Sequence, residues 1–259
     1  MSHLSSKRKP PEAEGLIQQG VITPQALEFL EACLQVRLNL AISGPPESGK
    51  RRLLQALLSL LPDDEQALAI QNPDEPPLEM RGITTLRASL SPSKGKHLIT
   101  RYYLLSLAPK MHPQRLLLDR VQGSEALPLL KLLFAMNGVV FSIVADSPKD
   151  ALVSLEKMIV LSEGGLDVNV IRRILSTSLD LIIQLEGAQA GFAKVVNLTE
   201  LSEIEDDAIV LRDIFLRREI NEAKDKSLSL LSPTGIRPRF IDRMQALGIC
   251  LPMEMFTRL

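Results

Sequence analysis

The 259-residue sequence contains no tryptophan, and only 3% of its residues are aromatic. Hydrophobic residues still make up 45% of the chain, so its core must consist mainly of Leu, Ile, Val and Ala. No apolar run reaches the roughly 18 residues that a membrane span requires, which excludes a transmembrane helix. The basic start, MSHLSSKRK, has no apolar segment behind it and lacks the pattern of a secretory signal.

Cysteine and histidine are also scarce, with two and three residues respectively. Cys33 and Cys250 lie in apolar, helix-like contexts with no Cys or His at metal-ligand spacing. We therefore predict two buried free thiols, no metal site and a reducing cytoplasm as the location. Thirty basic residues balance thirty-one acidic ones, so the charge gives no support for binding to nucleic acid or to anionic lipid.

Strand-like and helix-like segments alternate along most of the chain, which predicts an α/β domain with a mostly parallel central sheet. A β-hairpin is expected around the EGAQAG stretch, and a short helix is expected in the C-terminal tail. Residues 1–15, rich in Ser, Lys, Pro and Glu, read as a disordered lead-in. The predicted organisation is then a main domain over 16–216 and a tail over 217–259.

The stretch AISGPPESGKRRLLQALL runs from an apolar strand through a glycine-containing loop into a leucine-rich helix. This is the layout of a phosphate-binding P-loop (Walker A), with Gly44, Gly49 and Lys50 in the expected places and Ser48 just before the second glycine. Backbone N–H groups of such a loop face phosphates, and the lysine adds positive charge. Position 51 should be Ser or Thr, whose hydroxyl binds Mg²⁺, but it is Arg51.

Arg51 cannot ligate a cation because a guanidinium has only donors, although it could contact a phosphate directly. A second strand, RLLLDR, offers Asp119 as the acidic residue of a Walker B motif. By itself this pattern is weak, because a polar residue commonly ends a strand. The loop alone therefore leaves two interpretations open, a nucleotide site and a strand-to-helix turn that binds nothing.

Four further segments carry a resemblance to a known family: LIQQGVITPQALEFLEACLQVRLNLAISG, RLLLDRVQGSEAL, IVADSPKDALVSLEKMI and TGIRPRFIDRMQALGICLPMEMF. Together they resemble the C-terminal motor domain of CpaF-like ATPases, which belong to the type II/IV secretion ATPase superfamily and drive assembly of Tad (Flp) pili. The resemblance covers roughly Leu16 to Phe256 and implies a RecA-like P-loop NTPase fold. The large N-terminal domain of such motors is not represented in the sequence.

When the family's functional positions are mapped onto this sequence one at a time, most of the catalytic residues prove to be replaced. The acidic pair after the second strand falls on Gln71 and Asn72, while a later glutamate is matched by Glu75. The Walker B glutamate falls on Arg120, with Asp119 one place earlier, where the family has glycine. An arginine and two histidines of the family are replaced by Gln122, Met136 and Val144, and Arg87 lies near an arginine position used between subunits.

Phosphoryl transfer depends on positioned charges around the γ-phosphate and Mg²⁺, so the combined losses predict a degenerate motor, or pseudo-ATPase, with no catalytic residues. ATP or ADP remain the ligands that the loop could hold, whereas the resemblance no longer supports Mg²⁺. The implied partners are an active secretion or pilus ATPase, further copies of the chain in a hexamer-type ring, and an inner-membrane platform protein. The implied location is the cytoplasm, at the inner membrane through these partners.

Two alternatives stay open. The chain could be an active ATPase with relocated machinery, in which Lys50 and Arg51 contact phosphates and Asp119 and Glu75 hold the metal. It could also be a nucleotide-sensing module that binds ATP or ADP and changes its affinity for a partner.

Overall fold

The computed structural model describes residues 9–89, 98–162, 165–187, 193–220 and 228–258. Helices and strands are numbered here in chain order. The helices in these ranges are α1 (Pro11–Gln18), α2 (Pro24–Gln35), α3 (Lys50–Leu58), α4 (Arg101–Leu107), α5 (Ala126–Ala135), α6 (Pro148–Leu161), α7 (Val168–Ser178) and α8 (Ile241–Ala246). The strands are β1 (Leu40–Gly44), β2 (Ala67–Gln71), β3 (Ile83–Arg87), β4 (Arg115–Leu118), β5 (Val139–Val144), β6 (Leu181–Glu186), β7 (Lys194–Glu205), β8 (Ala208–Ile220) and β9 (Leu228–Pro233).

The strands of the described chain form one sheet in the order β3-β2-β4-β5-β1-β6-β7-β8-β9. Neighbouring strands from β3 through β6 are parallel. The strands from β6 through β9 are antiparallel to their neighbours. The predicted α/β class with a mostly parallel central sheet is confirmed. The carboxyl ends of β1, β2, β4 and β5 therefore meet at one edge of the sheet, where ligands commonly bind in such folds.

Helices cover both faces of the sheet because the parallel strands are apolar on both sides. Helices α1, α2 and α3 pack on one face together with the C-terminal tail. Helices α4, α5, α6 and α7 pack on the other face. Strands β1, β2 and β4 are buried along their whole length, as expected for central strands of a doubly covered sheet.

Helices α2 and α6 each begin with a side-chain cap. The Thr23 hydroxyl accepts a hydrogen bond from the Ala26 N–H, and Pro24 occupies the first position of α2. The Ser147 hydroxyl accepts from the Asp150 N–H at the start of α6. Both starts were predictable because each uses local sequence alone.

The C-terminal tail packs on the domain through a cluster of aromatic rings. The ring centroid of Phe29 in α2 lies 5.5 Å from that of Phe215, 6.0 Å from Phe240 and 5.9 Å from Phe256. Such contacts contribute beyond the buried area itself. The tail thus covers the face of the sheet that carries α2.

The structure differs from the sequence predictions in several places. Helix α1 begins at Pro11, inside the segment 1–15 predicted as disordered, and its Ala13 is buried. Strand β8 continues across the predicted boundary between residues 216 and 217. The predicted hairpin strands do pair in antiparallel fashion, whereas residues 188–192 of their connection lie outside the described residues.

One thiol prediction was wrong, because Cys33 is buried but Cys250 is exposed. Cys250 follows α8, beyond the last turn of that helix, and does not reach the core. None of the described helices combines the length and the apolar character needed to span a bilayer.

Candidate functional site

The glycine-containing loop joins the end of β1 to the start of α3, as the sequence predicts. Gly49 precedes α3 with φ +74°, a left-handed conformation that favours glycine. Gly44 ends β1 where an added Cβ would overlap the Ser48 hydroxyl and lie 3.0 Å from the Leu185 carbonyl oxygen. The two glycines are therefore required by the path of this turn, whether or not a ligand binds there.

Lys50, the first residue of α3, points back into the loop. Its Nζ donates to the carbonyl oxygens of Gly44 at 2.7 Å and Pro45 at 2.6 Å. Burial lowers the pKa of the Lys50 ammonium, while nearby Asp119 raises it in part and Arg120 lowers it. The lysine thus satisfies loop carbonyls while remaining close to the space in front of the loop.

Arg51 joins α3 to the end of β4. Its Nη1 donates to Oδ2 of Asp119 at 2.7 Å, forming an ion pair in which the Arg51 side chain is 30% exposed and that of Asp119 is 9% exposed. Its Nη2 donates to the carbonyl oxygens of Pro76 and Pro77 in the loop after β2. The residue at the predicted hydroxyl position of the loop is therefore bound directly to Asp119, the acidic residue of the predicted Walker B strand.

The second oxygen of Asp119 is also occupied. Its Oδ1 accepts from the hydroxyl of Ser142 in β5, and the Ser142 Oγ accepts from the Arg120 N–H at 2.7 Å. Arg120 itself has φ +52° and its side chain is exposed. A non-glycine residue with positive φ is uncommon, and here the turn directs Arg120 to the cavity described below.

The predicted acidic box lies behind this layer. Gln71 is fully buried and donates to the Pro76 carbonyl oxygen at 2.8 Å. Asn72 donates to Oε1 of Glu75 at 3.0 Å. The same Glu75 oxygen lies 3.1 Å from Nη1 of Arg101. Glu75 is thus engaged by an internal cation and does not line the space in front of the loop.

Arg101 is the residue that sequence reasoning missed. It begins α4 and its side chain is 2% exposed. Its Nη2 donates to the Asp119 carbonyl oxygen at 2.7 Å, and its Nε lies 3.3 Å from a Glu125 oxygen. Burial raises the pKa of Glu75 and of Glu125, and Arg101 opposes both shifts. The only available signal was an arginine at the start of an apolar helix, and such a residue is usually a solvated helix end.

A cavity of about 1110 Å³ lies in front of the loop. Its walls come from α1, the P-loop, the start of α3, the loop after β2 and the ends of β4 and β5. The predicted site residues that line it are Ser48, Gly49, Lys50, Arg51, Asp119 and Arg120. Gln122 and Val144, which stand where the family has arginine and histidine, line it too, whereas Met136 lies at the end of α5 near another surface.

The cavity is mixed in charge. Its basic lining residues are Lys50, Arg51, Arg52 and Arg120, and its acidic ones are Glu12, Glu47, Glu79 and Asp119. The Arg51–Asp119 ion pair removes one residue of each sign, so the remaining basic and acidic groups balance, and Lys50 is the basic group that lies in the loop itself. The size and the loop geometry suit a phosphate-bearing small molecule.

The residues present do not fit Mg²⁺. A P-loop magnesium site needs an oxygen ligand at position 51 and an accessible Walker B carboxylate, but position 51 is a guanidinium and both Asp119 oxygens accept hydrogen bonds. Within the described ranges, no three His, Cys, Asp or Glu side chains converge where a metal ion could bind. Arg87, near a position that the family uses between subunits, instead donates to the Pro73 and Glu75 carbonyl oxygens.

Comparison with known proteins relates the chain to secretion systems. No protein-family model matches it. The type IV secretion system protein VirB11 of Bartonella henselae is 29% identical over 192 residues, which cover 72% of this chain and 51% of that protein. A putative conjugal transfer protein of Mycobacterium tuberculosis is 24% identical over 220 residues, or 78% of this chain and 62% of that protein. The chain spans about half the length of the VirB11 proteins it matches.

A solved structure shows the same fold. The VirB11 ATPase from the Brucella suis type IV secretion system, determined in complex with sulphate, superposes with a TM-score of 0.60 at 22% identity. The match covers 76% of this chain and 60% of that one, and it confirms the RecA-like architecture. The sequence matches show that the chain is similar to the VirB11 proteins of type IV secretion systems.

Proposed function

We propose that this chain is a secretion-ATPase-type module that no longer hydrolyses ATP and serves as a structural or regulatory subunit. One observation carries the proposal: Arg51 stands where a P-loop has its metal-binding hydroxyl and is ion-paired at 2.7 Å with Asp119, the acidic residue at the end of the neighbouring strand β4. Removing one electrostatic group from an active site commonly costs about 10²–10³ in rate. Several such groups are replaced here. Arg51 stands at the position of the hydroxyl ligand, Gln71 and Asn72 replace the acidic pair, and Arg120 replaces the glutamate.

The geometry also counts against an active enzyme with relocated machinery. That alternative places Glu75 at the metal, but Glu75 is bound to Arg101 and Asn72 and lies behind Asp119. Freeing its carboxylate would leave the buried guanidinium of Arg101 with fewer partners, which is costly.

The proposed setting is Tad-type pilus assembly, by the CpaF-like resemblance, or a related type II/IV secretion machine. The chain would join a hexamer-type ring, either with further copies of itself or with an active ATPase, and contact an inner-membrane platform protein. It would then work in the cytoplasm, held at the inner membrane by those partners. ATP or ADP is the ligand that the P-loop cavity would hold.

The test is phosphate release from Mg²⁺-ATP by the purified 259-residue chain, with a VirB11 ATPase assayed in parallel to validate the conditions. We expect a rate equal to the background and unchanged in Lys50→Ala, because the groups that position Mg²⁺ and water are absent. Turnover above background that requires Mg²⁺ and disappears in Lys50→Ala would overturn the proposal.

A further inference from the structure

We propose that the P-loop cavity binds the diphosphate of a nucleotide without Mg²⁺, and that the Arg51 guanidinium replaces the metal ion. This inference rests on the proposed function, since it concerns the ligand of the same site. It goes further by naming the ligand class, a metal-free nucleoside diphosphate, and the residue that makes the metal unnecessary.

The position of Arg51 is the first argument. In an ordinary P-loop the metal ion is held between the hydroxyl at this position and the Walker B carboxylate. Here the side chain of position 51 itself crosses that gap and reaches Oδ2 of Asp119 at 2.7 Å. The positive charge that a metal would supply at this point is therefore part of the chain.

The second argument is that the carboxylate nearest this gap is already engaged by a cation. Oδ1 of Asp119 accepts from the Ser142 hydroxyl, and Oδ2 accepts from Arg51. Mg²⁺ demands oxygen ligands at about 2.0–2.1 Å in near-octahedral geometry. A metal ion bound to Oδ2 of Asp119 would lie close to the Arg51 guanidinium, and the two positive charges would repel each other.

The third argument is that donors remain for a phosphate. A guanidinium has five N–H groups, and three of those of Arg51 serve Asp119, Pro76 and Pro77. Its side chain is 30% exposed and lines the cavity beside Lys50 and Gly49. Charge-assisted hydrogen bonds from such groups to phosphate oxygens are among the stronger polar contacts in proteins.

The acidic residues of the cavity decide which ligand is favoured. Glu12, Glu47 and Glu79 line the same space and offset the charges of the basic lining residues, so the lining carries no net positive charge that would favour the more highly charged anion. Metal-free ADP carries less negative charge than metal-free ATP, so ADP should bind more tightly of the two. This ordering is the reverse of that expected for a motor that binds Mg²⁺-ATP as its substrate.

The experiment is calorimetric titration of the full chain with ADP, once in EDTA and once in excess Mg²⁺. We expect binding in EDTA that is at least as tight as binding in Mg²⁺, and its loss in Lys50→Ala in both buffers. Tighter binding with Mg²⁺, or no binding in either buffer, would overturn the inference. If the diphosphate is the part recognised, pyrophosphate should also bind at least as tightly in EDTA as in Mg²⁺. Tighter binding of pyrophosphate in Mg²⁺, or no binding, would contradict the inference.

Three variants identify the residue responsible. Arg51→Thr restores the hydroxyl and releases Asp119, so ADP affinity in EDTA should fall about tenfold and be recovered with Mg²⁺. Arg51→Lys keeps a cation and should keep metal-independent binding. Arg81→Thr makes the same exchange at an exposed position outside the cavity lining and should leave ADP affinity unchanged in both buffers. Equal behaviour of Arg51→Thr and Arg81→Thr would contradict the role of Arg51.

Asp119→Asn separates the two interpretations of this carboxylate, because they predict different changes in ADP binding. If Asp119 were a metal ligand, its neutralisation would weaken ADP binding in Mg²⁺. By our inference it removes a negative charge near the phosphates, and binding in EDTA should stay equal or tighten; weaker binding would count against the inference. Turnover of Mg²⁺-ATP is measured separately, so loss of the proposed function and loss of this inference give different results.

Discussion

The two ends of strand β4 are each closed by an arginine–carboxylate pair, and the pairs serve different purposes. At the amino end, the Arg115 side chain is fully buried and its Nη2 lies 2.9 Å from a Glu65 oxygen. At the carboxyl end, Asp119 pairs with Arg51, whose side chain is 30% exposed and lines the cavity. The Arg115–Glu65 pair is therefore enclosed by packing, whereas the Arg51–Asp119 pair faces the cavity.

The difference follows from the parallel sheet. At the carboxyl ends of parallel strands the connecting loops diverge and leave a crevice, whereas the amino ends are covered by packed helices and turns. Arg115 accordingly donates to the Leu34 carbonyl oxygen at the end of α2. We expect the ion pair at the amino end to contribute to stability and the pair at the carboxyl end to contribute to ligand binding. Three substitutions test the contribution to stability.

The largest expected effect is that of Arg115→Met. Removing one partner of a buried pair leaves the other charge uncompensated, which typically costs about 3–5 kcal/mol. Arg37 lies 3.5 Å from the same Glu65 oxygen, so we expect a loss near 3 kcal/mol in the free energy of unfolding, measured in urea. The double variant with Glu65→Gln should recover part of it, and ADP binding by folded protein should not change. A loss below about 1 kcal/mol would contradict the assignment.

The next effect is a pH dependence of stability from Asp180, which also lies at the amino end of the sheet. Its Oδ2 accepts from the Asn39 N–H at 2.7 Å, and burial raises the pKa of this carboxyl to about 6. Because the folded state then binds the proton more tightly than the unfolded state, stability should rise as pH falls from about 6 toward 4.

Asp180→Asn tests this pH dependence. The amide is neutral at every pH, so the variant should exceed the wild type at pH 7 by about 1–2 kcal/mol in free energy of unfolding. The difference should shrink at pH 5, because the wild-type carboxyl is then mostly protonated. Urea unfolding at the two pH values measures it, and a difference that does not change with pH would refute the pKa assignment. Other buried acids cancel in this comparison, since both proteins contain them.

The smallest effect is expected for a pair away from both ends of β4. Arg81 and Asp63 lie 3.3 Å apart with side chains 80% and 81% exposed. Exposed pairs contribute about 0–1 kcal/mol, so Arg81→Thr should change the unfolding free energy by less than about 0.5 kcal/mol. A larger loss would mean that exposure does not separate these ion pairs as proposed.

Sequence reasoning worked best where local chemistry decides the structure. Helices α6 and α7 are recognisable from the sequence, because each combines an amphipathic pattern with a capping side chain at its start. Strand β9 and helix α1 were not predicted. Strand β9 pairs in antiparallel fashion with β8, and this pairing was not visible in the sequence pattern.

The sequence also predicted the candidate site only in part. The P-loop and the Walker B strand were visible separately, and Arg51 was recognised as a departure from the motif. Its contact with Asp119 was not foreseen, because 68 positions separate the two residues. Arg101, which donates to the Asp119 carbonyl oxygen, was missed because an arginine at the start of a helix is usually solvated.

The sequence by itself determined the α/β class, the P-loop turn and the loss of the metal-binding hydroxyl, because periodicity, glycine conformation and side-chain chemistry are properties of single positions and their neighbours. Only the tertiary structure decided how the replaced residues are used. Parallel strands bring the ends of β1, β2 and β4 together at one edge, and there Arg51 meets Asp119 while Glu75 is turned toward Arg101. Charges interact over distance in space and not along the chain, and so their pairing appears only when the sheet has formed.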